Sequence, residues 1–219
     1  MKRLIQLKGK QVEYDLTLRE NARSIRVKVV YGKLKVSGPK YISIAEIENF
    51  IRQNEDHIIA QIEDSTLASY QDGGFVYILG YRYEIIHRNM HIRKCTIKEN
   101  KIYVYGSNIQ TTIEEYLQRA LEEYIQRYIS RFIQNHLGFP DPVITYKRTS
   151  GRYGACYYQI NKVCFNPLLI HFKQEFIDSV IIHEMCHFKY HDHSPSFYRE
   201  VEKYMPDYQR ISGGKKVYD

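Results

Sequence analysis

The segment His183-Glu184-Met185-Cys186-His187 has the form HExxH, and His193 follows six residues after its second histidine. Two imidazoles four positions apart on a helix project from one face and can grip one metal ion. The carboxylate beside the first then stands where it can work on a water bound to that ion. A chain of this His and Glu content meets the pattern by accident with a probability of about 3 per cent, so the reading depends on its context.

A catalytic zinc takes three protein ligands and leaves the fourth position to water or substrate. His191 continues the helical row of His183 and His187, but it lies roughly 12 Å from His183 at 1.5 Å per residue. A straight helix cannot share one ion across that span. His193 is reached if the chain leaves the helix near His191 and turns back. Ser194-Pro195 fits such a turn, because Ser caps helices well and Pro suits a first helical turn. A carboxylate from this second helix, Glu200 or Glu202, is the other arrangement. The expected site is therefore zinc on His183, His187 and His193, with Glu184 as general base. Cys186 lies inside the motif, but without a C-x-x-C partner it reads as a core thiol. Arg152, Tyr153, Tyr190 and Tyr198 are candidates for stabilising an oxyanion. His191 is a candidate for a supporting or proton-shuttling role.

Such a site needs a rigid helix. Apolar residues at 176, 177, 180, 181, 185 and 188 give the three-to-four spacing of a buried stripe, so the motif is expected on a core helix. After it, Phe197, Val201, Tyr204 and Met205 supply the apolar face of a second helix. Before it, the expected elements are a strand over 143–146 and a hairpin over 156–165, with Cys156 and Cys164 at neighbouring positions. A capping box at Thr111-x-x-Glu114 predicts a long helix to about Leu137, stopped by Gly138 and Pro140. The stretch up to residue 110 reads mostly as strands: 12–18, 24–30, 33–37, 75–79, 81–86, 95–98 and 101–105. Gly32, Gly80 and Asn100 mark turns between them. One helix interrupts these strands, opened by the capping box Ser43-x-x-Glu46 and carrying an apolar face from Ile47 to Ile62. Residues 212–216 read as a mobile tail.

HEMCH followed by His193-Ser194-Pro195-Ser196-Phe197-Tyr198 resembles the HELxH…NHSxxFW signature of the YgjP-like metal-dependent hydrolases, which are similar to WLM and SprT-type metallopeptidases. Gly151 to Cys156 stands where that family shows R-W-G-S-C, with Tyr153 in place of Trp and Ala155 in place of Ser. Asn161 to Leu168 resembles its G-x-I-x-L-N-x-x-L segment, and Arg23 to Pro39 its R-x-x-R-x-R-V…V-x-x-P pattern. The resemblance spans most of the chain in the family's order. The shift from strands to helices divides the chain near residue 110 into a β-rich amino-terminal domain over 1–110 and a second domain over 111–219, an α+β fold; the resemblance implies that the second is a zincin-like metallopeptidase domain, with the HExxH on a core helix. It implies a zinc-dependent hydrolase acting on a peptide, a protein or a small molecule. Some relatives are described as nucleotide pyrophosphohydrolases, so a UTP-type substrate at the same metal site is the alternative. No Gly-rich phosphate cradle or acidic cluster suited to Mg²⁺ accompanies it.

The chain has 219 residues, enough for one large core or two smaller ones. Its 32 Lys and Arg against 25 Asp and Glu leave a net charge of +7. Arg19, Arg23, Arg26, Lys28, Lys33 and Lys35 crowd the amino-terminal strands, and 21 tyrosines offer stacking surfaces. A nucleic-acid-associated binding module is thus a third reading, although no nucleic-acid-binding motif is present and a solvated sheet face is the plainer one. No apolar run approaches the roughly 18 residues a membrane span needs. The basic start lacks the apolar stretch of a signal peptide, and the four cysteines are irregularly spaced, so the expected compartment is the cytoplasm with reduced thiols.

Overall fold

Alternating apolar and polar residues set the first layer. In a computed structural model, which describes residues 2–30, 33–65, 67–149 and 152–213, they build strands β1 (Lys2–Leu7), β2 (Lys10–Arg19), β3 (Arg26–Val30) and β4 (Lys33–Pro39). Their order is β1-β2-β4-β3, with β2 and β4 parallel and the other two pairs antiparallel. Lys8 and Gly9, both at positive φ, make the two-residue turn between β1 and β2. One sheet face presents Ile5, Leu7, Tyr14, Leu16, Leu34 and Val36 to Ile47, Ile51, Ile58 and Ile59. Those isoleucines belong to two helices, α1 (Ile44–Gln53) and α2 (Glu55–Ser65), where the sequence suggested one. The break falls at Asn54, whose φ of −112° leaves helical geometry and whose side-chain amide donates to the Phe50 carbonyl. The Ser43–Glu46 capping box forms with both of its hydrogen bonds. Gly32 lies outside the described residues.

This first compact unit ends at Ser69, after the short strand β5 (Ala68–Ser69), and the second runs from Tyr70. The division therefore precedes the one near residue 110 suggested by the shift from strands to helices. The reason is packing within the second unit. Strands β6 (Phe75–Ile78), β7 (Tyr81–Arg88), β8 (Lys94–Lys98) and β9 (Lys101–Tyr105) lie in the order β6-β7-β9-β8. Helix α3 (Ile109–Asn135) packs on β8 and β9, so these strands share a core with the helical part. Its buried Ile113, Leu117, Leu121, Ile125, Ile129 and Phe132 form one row, as the spacing requires. Asn108 caps it, accepting from the Thr111 N–H at 3.0 Å, one turn before the cap expected at Thr111.

Three more strands follow: β10 (Val143–Tyr146), β11 (Gly154–Tyr157) and β12 (Lys162–Phe165), in the order β10-β12-β11. A 3₁₀ turn over Tyr158–Ile160 joins β11 to β12 and ends on Asn161 in the left-handed region, a conformation Asn tolerates. Ala155 pairs with Cys164 and Cys156 with Val163, so the two cysteines occupy opposite faces. A second 3₁₀ turn (Pro167–His171) leads to helices α4 (Gln174–Cys186), α5 (Pro195–Tyr204) and α6 (Tyr208–Gly213). Ser212 and Gly213 are thus helical, and residues 214–216 of the suggested tail lie outside the described residues. The chain is a mixed α+β protein with six helices among the described residues, none long and apolar enough to cross a membrane.

Candidate metal centre

Helix α4 is buried around most of its circumference: Phe176, Ile177, Ile181, Ile182, Met185 and Cys186 all sit in the core. A helix so enclosed has little freedom to shift, which suits it to holding side chains in fixed relation. His183 and Glu184 lie in its last turn, and His187 caps it with φ −65° and ψ −14°, still helical. The i, i+4 relation therefore survives at the helix end, and the two imidazole rings stand 4.8 Å apart. The chain then unwinds through Phe188 to Tyr190, whose N–H groups bond back to the Met185 and Cys186 carbonyls. His191 lies off the helical row. Ser194 caps α5, accepting from the Phe197 N–H, and Pro195 is its first residue.

The turn between α4 and α5 brings His193 back to the pair. Its Nε2 lies 3.1 Å from Nε2 of His183, and Nε2 of His187 lies 3.2 Å from the same atom. Among the described residues these three histidines form the group of metal-ligating type. Phe197, fully buried, supports all three rings, with centroid distances of 4.8, 4.5 and 5.1 Å to His183, His187 and His193.

The outer ring nitrogens are also held. Nδ1 of His187 donates to the Tyr190 carbonyl at 2.9 Å, which leaves its Nε2 with a lone pair in the neutral ring. Nδ1 of His183 lies 2.6 Å from the Tyr208 hydroxyl. Burial, reinforced by the neighbouring histidines, pushes His183 down to about 3. Burial also lowers His187, against the Tyr190 carbonyl. Both rings are neutral at ordinary pH, the form that binds a metal.

The donor set fits zinc. Tetrahedral coordination at a Zn–N distance of about 2.0–2.1 Å places ligand nitrogens about 3.3 Å apart. The separations of 3.1 and 3.2 Å from His183 are close to that spacing, and all three ligand atoms lie within 4.8 Å of one another.

Glu184 is 6 % exposed. Burial pushes its carboxyl up to about 8, against the pull of the Cys156 backbone N–H and the positive charge of Arg152. A cleft of about 500 Å³ opens beside it, walled by β11, the Tyr158 turn, α4 and Tyr208. The approach to β11 is stapled by buried Asn166, whose amide donates to the Thr149 and Arg152 carbonyls while its N–H donates to Tyr153.

The other candidates divide by position. Glu200 is buried elsewhere, held by Lys189 at 3.0 Å, Lys203 and Tyr204; burial opposes its ionisation, yet these donors keep it down at about 2. Glu202 accepts from Gln209. Neither joins the three histidines. Arg152 and Tyr153 line the cleft, whereas Tyr190 contributes its carbonyl to His187 and Tyr198 packs beside His193. His191 stacks flat on Tyr158, centroids 3.6 Å apart, and its Nδ1 donates to the His187 carbonyl. Cys186 is fully buried. Tyr208 and Tyr158 escaped the sequence reading because no spacing rule links them to the motif; tertiary packing alone delivers them.

The family model described as "YgjP-like, metallopeptidase domain" matches residues 23–213. Protein SprT of Yersinia pseudotuberculosis serotype O:1b (strain IP 31758) is 42% identical over 55 residues, 24% of this chain and 32% of that protein. SprT of serotype IB (strain PB1/+) matches to the same extent. The chain thus spans about a third of the length of these curated relatives. Among solved structures, the metallopeptidase zymogen of Pyrococcus abyssi abylysin is similar at a TM-score of 0.35 and 20% identity, over 42% of this chain and 88% of that one.

Proposed function

This chain belongs to the YgjP-like metallopeptidase family, and from that premise we propose that it is a zinc-dependent hydrolase that cleaves peptide bonds. The observation that carries the reading is the convergence of three imidazole nitrogens, all within 4.8 Å of one another, beside a buried carboxylate. In this reading the fold is zincin-like, with the HExxH on core helix α4, and His183, His187 and His193 are the ligands. Zinc, when bound, acidifies water, polarises the scissile carbonyl and, as a nearby positive charge, favours the ionised form of Glu184.

Glu184 then acts at its carboxylate oxygens, accepting a proton from the attacking water and passing it to the departing amine. Tyr208 and the Tyr190 carbonyl orient the outer nitrogens of two ligands. The walls of the cleft exclude bulk water from the carboxylate, consistent with its raised pKa.

A peptide substrate is favoured over a nucleotide by strand β11. It is the edge of its sheet and lies along the cleft, so an extended peptide can pair with the outward backbone groups that remain, those of Gly154 and the Cys156 carbonyl, the Cys156 N–H being held by Glu184. The test is hydrolysis of peptide and nucleoside triphosphate panels by the zinc-loaded chain and its Glu184→Gln variant. Cleavage of peptides that the substitution abolishes is the expected result. Triphosphate cleavage with the same dependence, and no peptide cleavage, would replace this reading.

A further inference from the structure

Gly154 occupies a place where a strand ordinarily gains from a side chain. It lies in β11, paired with Phe165, and its φ is outside the left-handed region. The backbone there is one that any residue adopts. Glycine in a strand carries an entropic cost without packing benefit, and its usual justification is the close approach of another group. The approaching group is Glu184. A Cβ on Gly154 would lie 2.6 Å from Cγ and 2.8 Å from Cδ of Glu184, and closer still to Oε1. Rotating only the end of the glutamate does not relieve this, because Cγ itself is in the way. Helix α4, buried on most sides, cannot step back either.

The same strand supplies the carboxylate's hydrogen bond, from the Cys156 N–H two residues on. Residues 153 and 154 alternate in the direction of their peptide groups: the Tyr153 carbonyl accepts from Asn166 on the β12 side, so 154 and 156 face outward. The carboxylate therefore lies where a carbonyl of a further strand would lie.

We propose that Gly154 is a positioning residue for the base, its missing side chain letting Glu184 lie flat against β11 with one oxygen on the Cys156 N–H. This rests on the reading of Glu184 as base given above. The side chain is absent because of the carboxylate and not because of the strand, and that distinction can be measured.

The experiment is a double-mutant cycle of Gly154→Ala and Glu184→Ala. Thermal unfolding is followed in the metal-free chain, and zinc content, kcat and KM in the loaded chain. Gly154→Ala is expected to lower Tm by several degrees when Glu184 is present, and to leave it unchanged or raise it in the Glu184→Ala background. In the loaded chain Gly154→Ala should retain stoichiometric zinc and a KM within a few-fold, while kcat falls by about 100-fold, the scale expected for a misplacement near 1 Å. If Gly154→Ala alone fails to fold, a folded double variant supports the proposal. An equal loss of Tm in both backgrounds, or an unchanged kcat, overturns it. The failure of the hydrolase reading looks different: no peptide is cleaved by the wild-type chain, yet the stability coupling between the two positions persists.

Discussion

The Tyr208 hydroxyl lies 2.6 Å from Nδ1 of His183, closer than the 2.9 Å between Nδ1 of His187 and the Tyr190 carbonyl. A ligand histidine whose outer nitrogen is held keeps its ring orientation and tautomer, and losing such a partner typically weakens metal binding 10–100-fold. Tyr208→Phe removes the oxygen and little else. The expected outcome is a folded chain whose zinc affinity, measured by competition with a chromogenic chelator, drops by about tenfold or more. Unchanged affinity would reduce Tyr208 to a packing role.

His187→Ala and His193→Ala each remove one of three converging nitrogens. Zinc measured by elemental analysis after dialysis should fall from about one ion per chain to near zero in both variants. His191→Ala, by contrast, leaves the three nitrogens in place and should retain the metal. Equal, negligible zinc in the wild type and the variants would remove the metal assignment.

Asp178 gives a pH signature away from the site. Its carboxyl, which accepts from the Tyr124 hydroxyl at 2.7 Å, is pushed from 3.8 up to about 6 by burial. Between those values the folded chain keeps a proton that the unfolded chain gives up. The stability contribution of this group therefore falls as pH rises through that window, and the full cost stands above about 6. Asp178→Asn keeps the acceptor and removes the charge. Its Tm relative to wild type should be higher at about pH 7.5 than at about pH 4. A pH-independent difference between the two proteins would contradict this assignment.

Glu200 should be costly to remove although it binds no metal in this reading. Its buried carboxylate gathers Lys189, Lys203 and Tyr204, and the Lys189 ammonium also lies 3.9 Å over the Phe139 ring. Glu200→Ala leaves these donors without their acceptor, and urea unfolding should show a loss of about 2 kcal/mol. Glu202→Ala, on the solvent-facing side, should stay within about 0.5 kcal/mol of wild type.

What could be read from the sequence was local. His193 is singled out because the geometry of a straight helix excludes His191 and because Ser194-Pro195 announces a new helix seven residues after His187. Strand β1 is not signalled by its sequence, because Leu4, 60 % exposed, sits beside buried Ile5 and blurs the alternation. The break at Asn54 was hidden because apolar spacing resumes in α2 on the same side as in α1. At the third helix two good capping residues stand near each other, and Asn108 takes the extended conformation that a cap requires. Tyr208, Gly154 and the Cys156 N–H reach the site through packing of distant segments; the family-like Gly151 to Cys156 block marks the strand, but no spacing rule ties its glycine or its N–H to Glu184.

Phe197 lends the site one further property. Because one phenyl ring touches all three imidazoles, and comes from α5 while two of those imidazoles come from α4, the HExxH pattern is not a transplantable cassette. Moving His183 to His187 onto another protein's helix would carry two arms of a tripod without the block on which they rest. Redesign of this centre has to treat four side chains, on two helices and the turn between them, as one part.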